Sequence, residues 1–166
     1  MSTRNIIIGL LLFSVIFVGG GYLLFAGENK AEVKVVTYSF RDKDRPAAEV
    51  EKTLVDLGNI RVSDQKVATF TIKNVGTRPL QISRMSSSCH CTVGQFLYQG
   101  KSSGEYGMSS VSDTFPAVAT NTEATVKVIY RPYIMPVYGP VEREVYVMTN
   151  DPSKPKIIFQ VTANVK

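Results

Sequence analysis

Residues 66–83, KVATFTIKNVGTRPLQIS, decide the fold. Alternation runs through residues 66–74: Val67, Thr69, Thr71 and Lys73 share one face, and Ala68, Phe70 and Ile72 share the other. Successive side chains of an extended chain point to opposite sides, so a period of two with one apolar face reads as a half-buried β-strand. Residues 74–79 then supply an Asn/Gly/Pro turn, and Leu80 and Ile82 open the next strand in phase.

Working outward, the same spelling recurs. EATVKVIY (123–130) sets Ala124, Val126 and Val128 on one face; EREVYVMTN (142–150) does so with Val145 and Val147; KIIFQVTANV (156–165) does so with Ile157, Phe159 and Val161. Gly58, Gly76, Gly139 and the prolines punctuate these runs, and no window of similar length repeats at helical spacing. Roughly six or seven short strands separated by turns predict an all-β, immunoglobulin-like antiparallel β-sandwich over residues 49–166. The chain has no tryptophan and only two cysteines, close together, so the disulfide-on-tryptophan core of antibody domains is absent.

Toward the N-terminus the chemistry changes. Residues 6–26 carry no charge, and at about 1.5 Å per residue such a run spans a bilayer core of about 30 Å. The rival reading is a cleaved signal peptide, whose apolar region is usually shorter, about 7–15 residues. A cut after Ala26 would place bulky Leu24 where a small residue is preferred, and no cysteine follows the run to take a lipid. The reading is a tail (1–4), a transmembrane signal-anchor (5–26), a linker with a β-prone run VKVVTYSF (27–48), and the sandwich (49–166). Arg4 precedes the span, while Lys30 and Lys34 follow it beside Glu28 and Glu32; the layout of short tail, span and folded domain places the domain outside the cytoplasm. Gly19, Gly20 and Gly21 lie inside the apolar run and suit helix packing rather than phosphate contact. The net charge of +5 comes without a basic cluster, so nucleic-acid binding is not expected.

The spelling DLGNIRVSDQKVATFTIKNVGTRPLQISRMSSSCHCTV resembles the bacterial family known as domain of unknown function 1573, related to the immunoglobulin-like domains of the ASPM, SPD-2 and hydin group. The residues that carry the resemblance are Asp56-Leu57-Gly58, Asn74-Val75-Gly76, Pro79-Leu80, Ser88-Cys89-His90-Cys91-Thr92, and Thr149-Asn150-Asp151-Pro152 through Val161. The resemblance covers about residues 49–166 and implies the sandwich and a bacterial source, hence the inner membrane with a periplasmic domain. It implies no particular chemistry. Two departures stand out: His90 replaces the usual glycine between the cysteines, and the connection over residues 95–115 is longer than the family's short link.

Cys89 and Cys91 bracket the only histidine, His90. In an extended strand they share a face and His90 points away, with Cα atoms about 6.6 Å apart, near the upper limit for a disulfide. Pairing therefore requires the backbone to curl. Three readings stay open. Two thiolates with Met85 and His90 are soft ligands for copper. A redox pair is favoured by local charge, because no acidic residue occurs between Asp64 and Glu105 while Lys66, Lys73, Arg78, Arg84 and Lys101 do. The third is structural: two small side chains packed or bonded locally.

Enzymatic machinery is otherwise missing. One histidine supplies neither a metal triad nor an independent base, carboxylates are sparse, and no phosphate-binding glycine loop occurs. Aromatic side chains are concentrated in two connections. Residues 95–115 hold Phe96, Tyr98 and Tyr106 among Ser and Gly, and YRPYIMPVYGP (130–140) holds Tyr133, Met135 and Tyr138 among prolines. Such stiff, aromatic surface suits protein recognition. The expected function is a non-enzymatic, membrane-anchored binding or scaffold domain, an accessory subunit of a larger membrane complex. It has protein partners, no cofactor and no small-molecule substrate. The alternative is a periplasmic copper- or thiol-handling protein.

Overall fold

The computed structural model describes residues 12–14, 17, 35–109 and 115–166. Residues 12–14 and 17 are helical, and Phe13 and Phe17 stack with ring centroids 5.9 Å apart. Among the described residues no helix is long and apolar enough to cross a membrane. Most of the expected anchor, including Gly19, Gly20 and Gly21, lies outside the described residues.

The unit Lys34–Lys166 is a two-layer sandwich of nine strands. They are β1 (Ala48–Glu49), β2 (Leu54–Ile60), β3 (Lys66–Asn74), β4 (Ile82–Ser87), β5 (Thr92–Tyr98), β6 (Lys101–Tyr106), β7 (Glu123–Tyr130), β8 (Gly139–Thr149) and β9 (Lys156–Val165). One sheet has the order β1-β3-β7-β5-β6 and the other β2-β9-β8-β4. The alternation predicted for β3 is realised: Ala68, Phe70 and Ile72 are buried, and Val67, Thr69, Thr71 and Lys73 are exposed. Phe70 and Phe159 meet across the core at 4.7 Å between centroids. Burying a side chain of that size stabilises the fold by about 1.5–3 kcal/mol.

Two features depart from the expectation. The sandwich is not wholly antiparallel: β2 runs parallel to β9, with Leu54 opposite Gln160 and Ile60 opposite Val165. Turn signals identify hairpin neighbours, and this pair joins the first long strand to the last, so no turn announces it. Gly58, at φ +69°, sits in the register shift between Asp56 and Asn59, and its N–H donates to Asp56 Oδ1 at 2.9 Å. A bulge that needs positive φ is what the glycine of Asp56-Leu57-Gly58 provides.

The second departure is the connection over 95–115. It is mostly a hairpin, in which Tyr98 faces Lys101 across Gln99 and Gly100. Both turn residues have positive φ, as a tight two-residue hairpin requires. Phe96, Tyr98 and Tyr106 are therefore core residues and not contact surface. Phe115 stacks edge-on against Phe96 at 5.6 Å and lies 5.0 Å from Tyr106. The Tyr98 hydroxyl accepts from Ala119 N at 2.9 Å and lies 2.9 Å from Thr122 Oγ1. The β-prone run before the sandwich forms no strand over residues 35–40, where Val35, Val36 and Phe40 are exposed; Val33 lies outside the described residues.

Polar side chains close one end of the sandwich. Asn74, fully buried, donates to Arg78 O and Val118 O at 2.8 and 2.9 Å and accepts from Gly76 N at 3.0 Å. Asp151 accepts from Ala48 N and Ser153 N, both at 2.8 Å, and Asn150 Oδ1 accepts from Gln81 N at 2.8 Å. A Cβ on Gly76 would stand 2.4 Å from Ala47 N and Arg45 O, so only glycine fits against that backbone. The chain also enters the sandwich here, with Val36 N donating to Gln81 Oε1 at 2.8 Å and Arg45 to Ser153 Oγ at 2.7 Å.

Candidate functional site

The opposite end gathers the C-termini of β2, β7 and β9, the start of β8 and the passage from β4 to β5. β4 and β5 belong to different sheets, so residues 88–91 must carry the chain across the core. They do so as a bend and turn rather than as a strand, and this supplies the curl that a short disulfide needs. Cys89 and Cys91 are joined, with their Cα atoms 5.3 Å apart.

Serines set this turn. Ser87 Oγ donates to Cys89 O at 2.8 Å, Ser88 N donates to Glu144 O at 2.9 Å, and Ser88 Oγ accepts from Glu144 N at 2.9 Å. Thr92 N donates to Cys89 O at 3.3 Å, and Arg131 N donates to Cys91 O at 2.8 Å. The serine run before the cysteines carried the signal for this turn, since short hydroxyl side chains offer the backbone local partners in place of a ladder. Closing a ring over one residue removes little freedom from the unfolded chain. The chain-entropy relation gives about 1.6 kcal/mol, against about 3 for a 15-residue loop.

Cys91 is buried in a small cluster with Ile60, Tyr130, Val141, Ala163 and Val165, while Cys89 is only half-buried at its edge. Thr92 Oγ1 lies 3.4 Å from Cys89 Sγ and 3.9 Å from Cys91 Sγ. Tyr130 is wholly buried, and its hydroxyl has no hydrogen-bond partner among the described residues. The Arg143 guanidinium carbon lies 5.6 Å from the centre of the Tyr130 ring.

The structure does not bring the four copper-ligand candidates together. The two sulfurs bond to each other, and His90 is exposed on the turn. Met85 is wholly buried in the main core, where its sulfur packs under Gly94; a Cβ on Gly94 would stand 2.5 Å from it. Among the described residues no three His, Cys, Asp or Glu are grouped as a metal site.

Beyond Tyr130 the chain makes a short 3-10 turn, Pro132–Ile134, and runs to β8. Arg131 fixes its root through a bidentate pair with Glu105 at 2.6 and 2.7 Å and a bond to Gln65 Oε1 at 2.7 Å. The hydrogen bonds from Arg131 hold the Glu105 carboxyl below its ordinary range, and the carboxylate raises Arg131 in turn. Past the buried Pro132, Tyr133, Ile134, Met135, Val137 and Tyr138 are all exposed, Tyr138 by 68%. Tyr133, Met135 and Tyr138 are thus at the surface, whereas the aromatics of the β5–β6 hairpin are not. Ile134 and Val137 belong to the same exposed patch.

The family described as "Protein of unknown function (DUF1573)" matches residues 48–165. The chain belongs to it. Nearly the whole sandwich is thus the DUF1573 domain, and the match begins at β1. Among solved structures, a protein of unknown function from Porphyromonas gingivalis W83 is similar at 16% identity and a TM-score of 0.55. The likeness covers 74% of this chain and 48% of that one, so this chain spans about half its length. The PapD-like domain 7 of human CEP192 is similar at 12% identity and a TM-score of 0.49, over 81% of this chain and 96% of that one. At such identities a likeness shows the fold alone, here the two-sheet β-sandwich. No curated protein matches the DUF1573 chain by sequence.

Proposed function

We propose that the DUF1573 chain is a membrane-anchored, extracytoplasmic binding or scaffold domain that docks a protein through the loop 132–138, as an accessory subunit of a membrane complex. The observation that carries this reading is the contiguous exposed run Tyr133, Ile134, Met135, Val137 and Tyr138. Prolines 132, 136 and 140 stiffen the loop, and Arg131 pins its root, so little entropy is lost when it is covered. The apolar run at residues 6–26 supports the anchor. The reading involves no enzymatic step, cofactor, nucleic acid or small-molecule substrate, and it places the chain in the bacterial inner membrane.

The test is recovery of partners from gently solubilised membranes, comparing wild type with an Ile134→Asp, Tyr138→Ser variant. Loss of a stoichiometric protein, with stability changed by less than about 0.5 kcal/mol, supports docking. Unchanged partners together with weaker binding to lipid vesicles would assign the loop to a bilayer instead. Recovery of the chain as a shortened, soluble species would remove the anchor.

A further inference from the structure

The disulfide is not explained by docking, nor by stability. A bond that encloses only His90 constrains the unfolded chain weakly. Its two sulfurs are also unequal: Cys91 is 1% exposed inside the small cluster, while Cys89 is half-buried at its edge. Thr92 Oγ1 lies within 3.4 and 3.9 Å of the two sulfurs, where a hydroxyl can donate to a thiolate. Both cysteine carbonyls are held from neighbouring elements, Cys89 O by Ser87 Oγ at 2.8 Å and Cys91 O by Arg131 N at 2.8 Å. These bonds do not involve sulfur, so opening the S–S bond leaves the two thiols side by side.

We propose that Cys89–Cys91 is a thiol–disulfide exchange site whose co-reactant is a dithiol. The thiolate of the dithiol attacks Sγ of Cys89, the reachable sulfur. A mixed disulfide forms there, the Cys89–Cys91 bond breaks, and Cys91 leaves as a thiolate that accepts a hydrogen bond from Thr92. The second thiol of the dithiol, once deprotonated, attacks the co-reactant sulfur of the mixed disulfide and expels Cys89 as a thiolate. The two thiolates take up the two protons. In sum, two electrons and two protons pass from the dithiol to the cysteine pair, and the dithiol becomes a disulfide. The reverse sequence restores Cys89–Cys91 at the expense of a more oxidising disulfide. Tyr130, whose ring centre lies 5.6 Å from the Arg143 guanidinium carbon, packs in the same cluster as Cys91.

The test equilibrates the full chain, in mild detergent, with glutathione buffers of graded ratio; here two glutathiones replace one dithiol. Acid quenching, alkylation and intact mass then count free thiols. The expected result is a reversible two-thiol transition within the glutathione range while circular dichroism stays native. Cys91→Ala should trap glutathione on Cys89 at least about tenfold faster than Cys89→Ala traps it on Cys91. Thr92→Val should slow reduction of the otherwise intact pair by about tenfold at an unchanged melting temperature. A disulfide that opens only when the protein unfolds, or equal trapping at the two positions, would overturn the proposal. If a single-cysteine variant does not fold, the wild-type titration and Thr92→Val decide. Partner recovery, the readout for docking, is untouched by this measurement, so the two readings fail separately.

Discussion

The two ends of the sandwich solve one problem in opposite ways. Each must close a core where strands stop and backbone groups lose their ladder partners. At the entry end, Asn74, Asn150 and Asp151 are buried and fully engaged, mostly with backbone N–H and C=O groups. At the far end a one-residue disulfide ring closes the passage between sheets, a buried tyrosine hydroxyl finds no partner among the described residues, and a run of apolar side chains faces outward. Satisfied polar groups specify a structure, while unsatisfied ones and bare apolar surface are the departures that function tolerates. The first end is built for stability, and the proposed docking loop and exchange site both lie at the second.

Asp151→Ala should bring the largest loss, because it strips the buried Ala48 N and the part-buried Ser153 N of their acceptor. The expected destabilisation is about 2–4 kcal/mol, read by urea unfolding. A loss below about 1 kcal/mol would break the contrast between the ends. Tyr130→Phe should move the other way. It removes a buried hydroxyl that has no partner among the described residues, so stability should hold or rise by up to about 1 kcal/mol in the same assay. Destabilisation there would mean that the far end too is closed by polar contacts.

The smallest effect concerns Glu105. Its folded-state pKa is depressed by the hydrogen bonds from Arg131, so the stabilisation is fully present above the unfolded carboxyl range, about 4.3, and is lost as the pH falls through the lower folded value. The pair is part-exposed and solvent screens it, so it contributes under about 1 kcal/mol. Glu105→Gln should flatten that acid limb of a stability-versus-pH curve and lower stability at neutral pH by the same amount. An unchanged acid limb would show that the clamp at the root of the loop does not act through charge.

Much of the fold was legible because a strand with one buried face declares it locally. Ala124, Val126 and Val128, Val145 and Val147, and Ile157, Phe159 and Val161 are all inward, as their alternation requires. The β5–β6 hairpin was legible in the same terms, since Gly94, Phe96 and Tyr98 alternate with half-buried residues. Its Ser/Gly-rich composition obscured that, and three core aromatics read as contact surface. The family motifs at Asn74-Val75-Gly76 and Thr149-Asn150-Asp151-Pro152 are legible as turns, but their partners lie up to about a hundred residues away, as Ala48 and Asp151 do.

By itself, then, the sequence determined which side of β3, β7, β8 and β9 faces the core and where several of the turns between strands fall, because both depend on neighbours one to three residues apart. Only the tertiary structure decided which strands pair, that β2 lies parallel to β9, and that the cysteines sit on a turn between sheets and not along a strand. The physical reason is the same in each case. Pairing and crossing are settled by contacts between segments distant in the chain, and those contacts bend residues 88–91 enough to bring two sulfurs together across a single histidine.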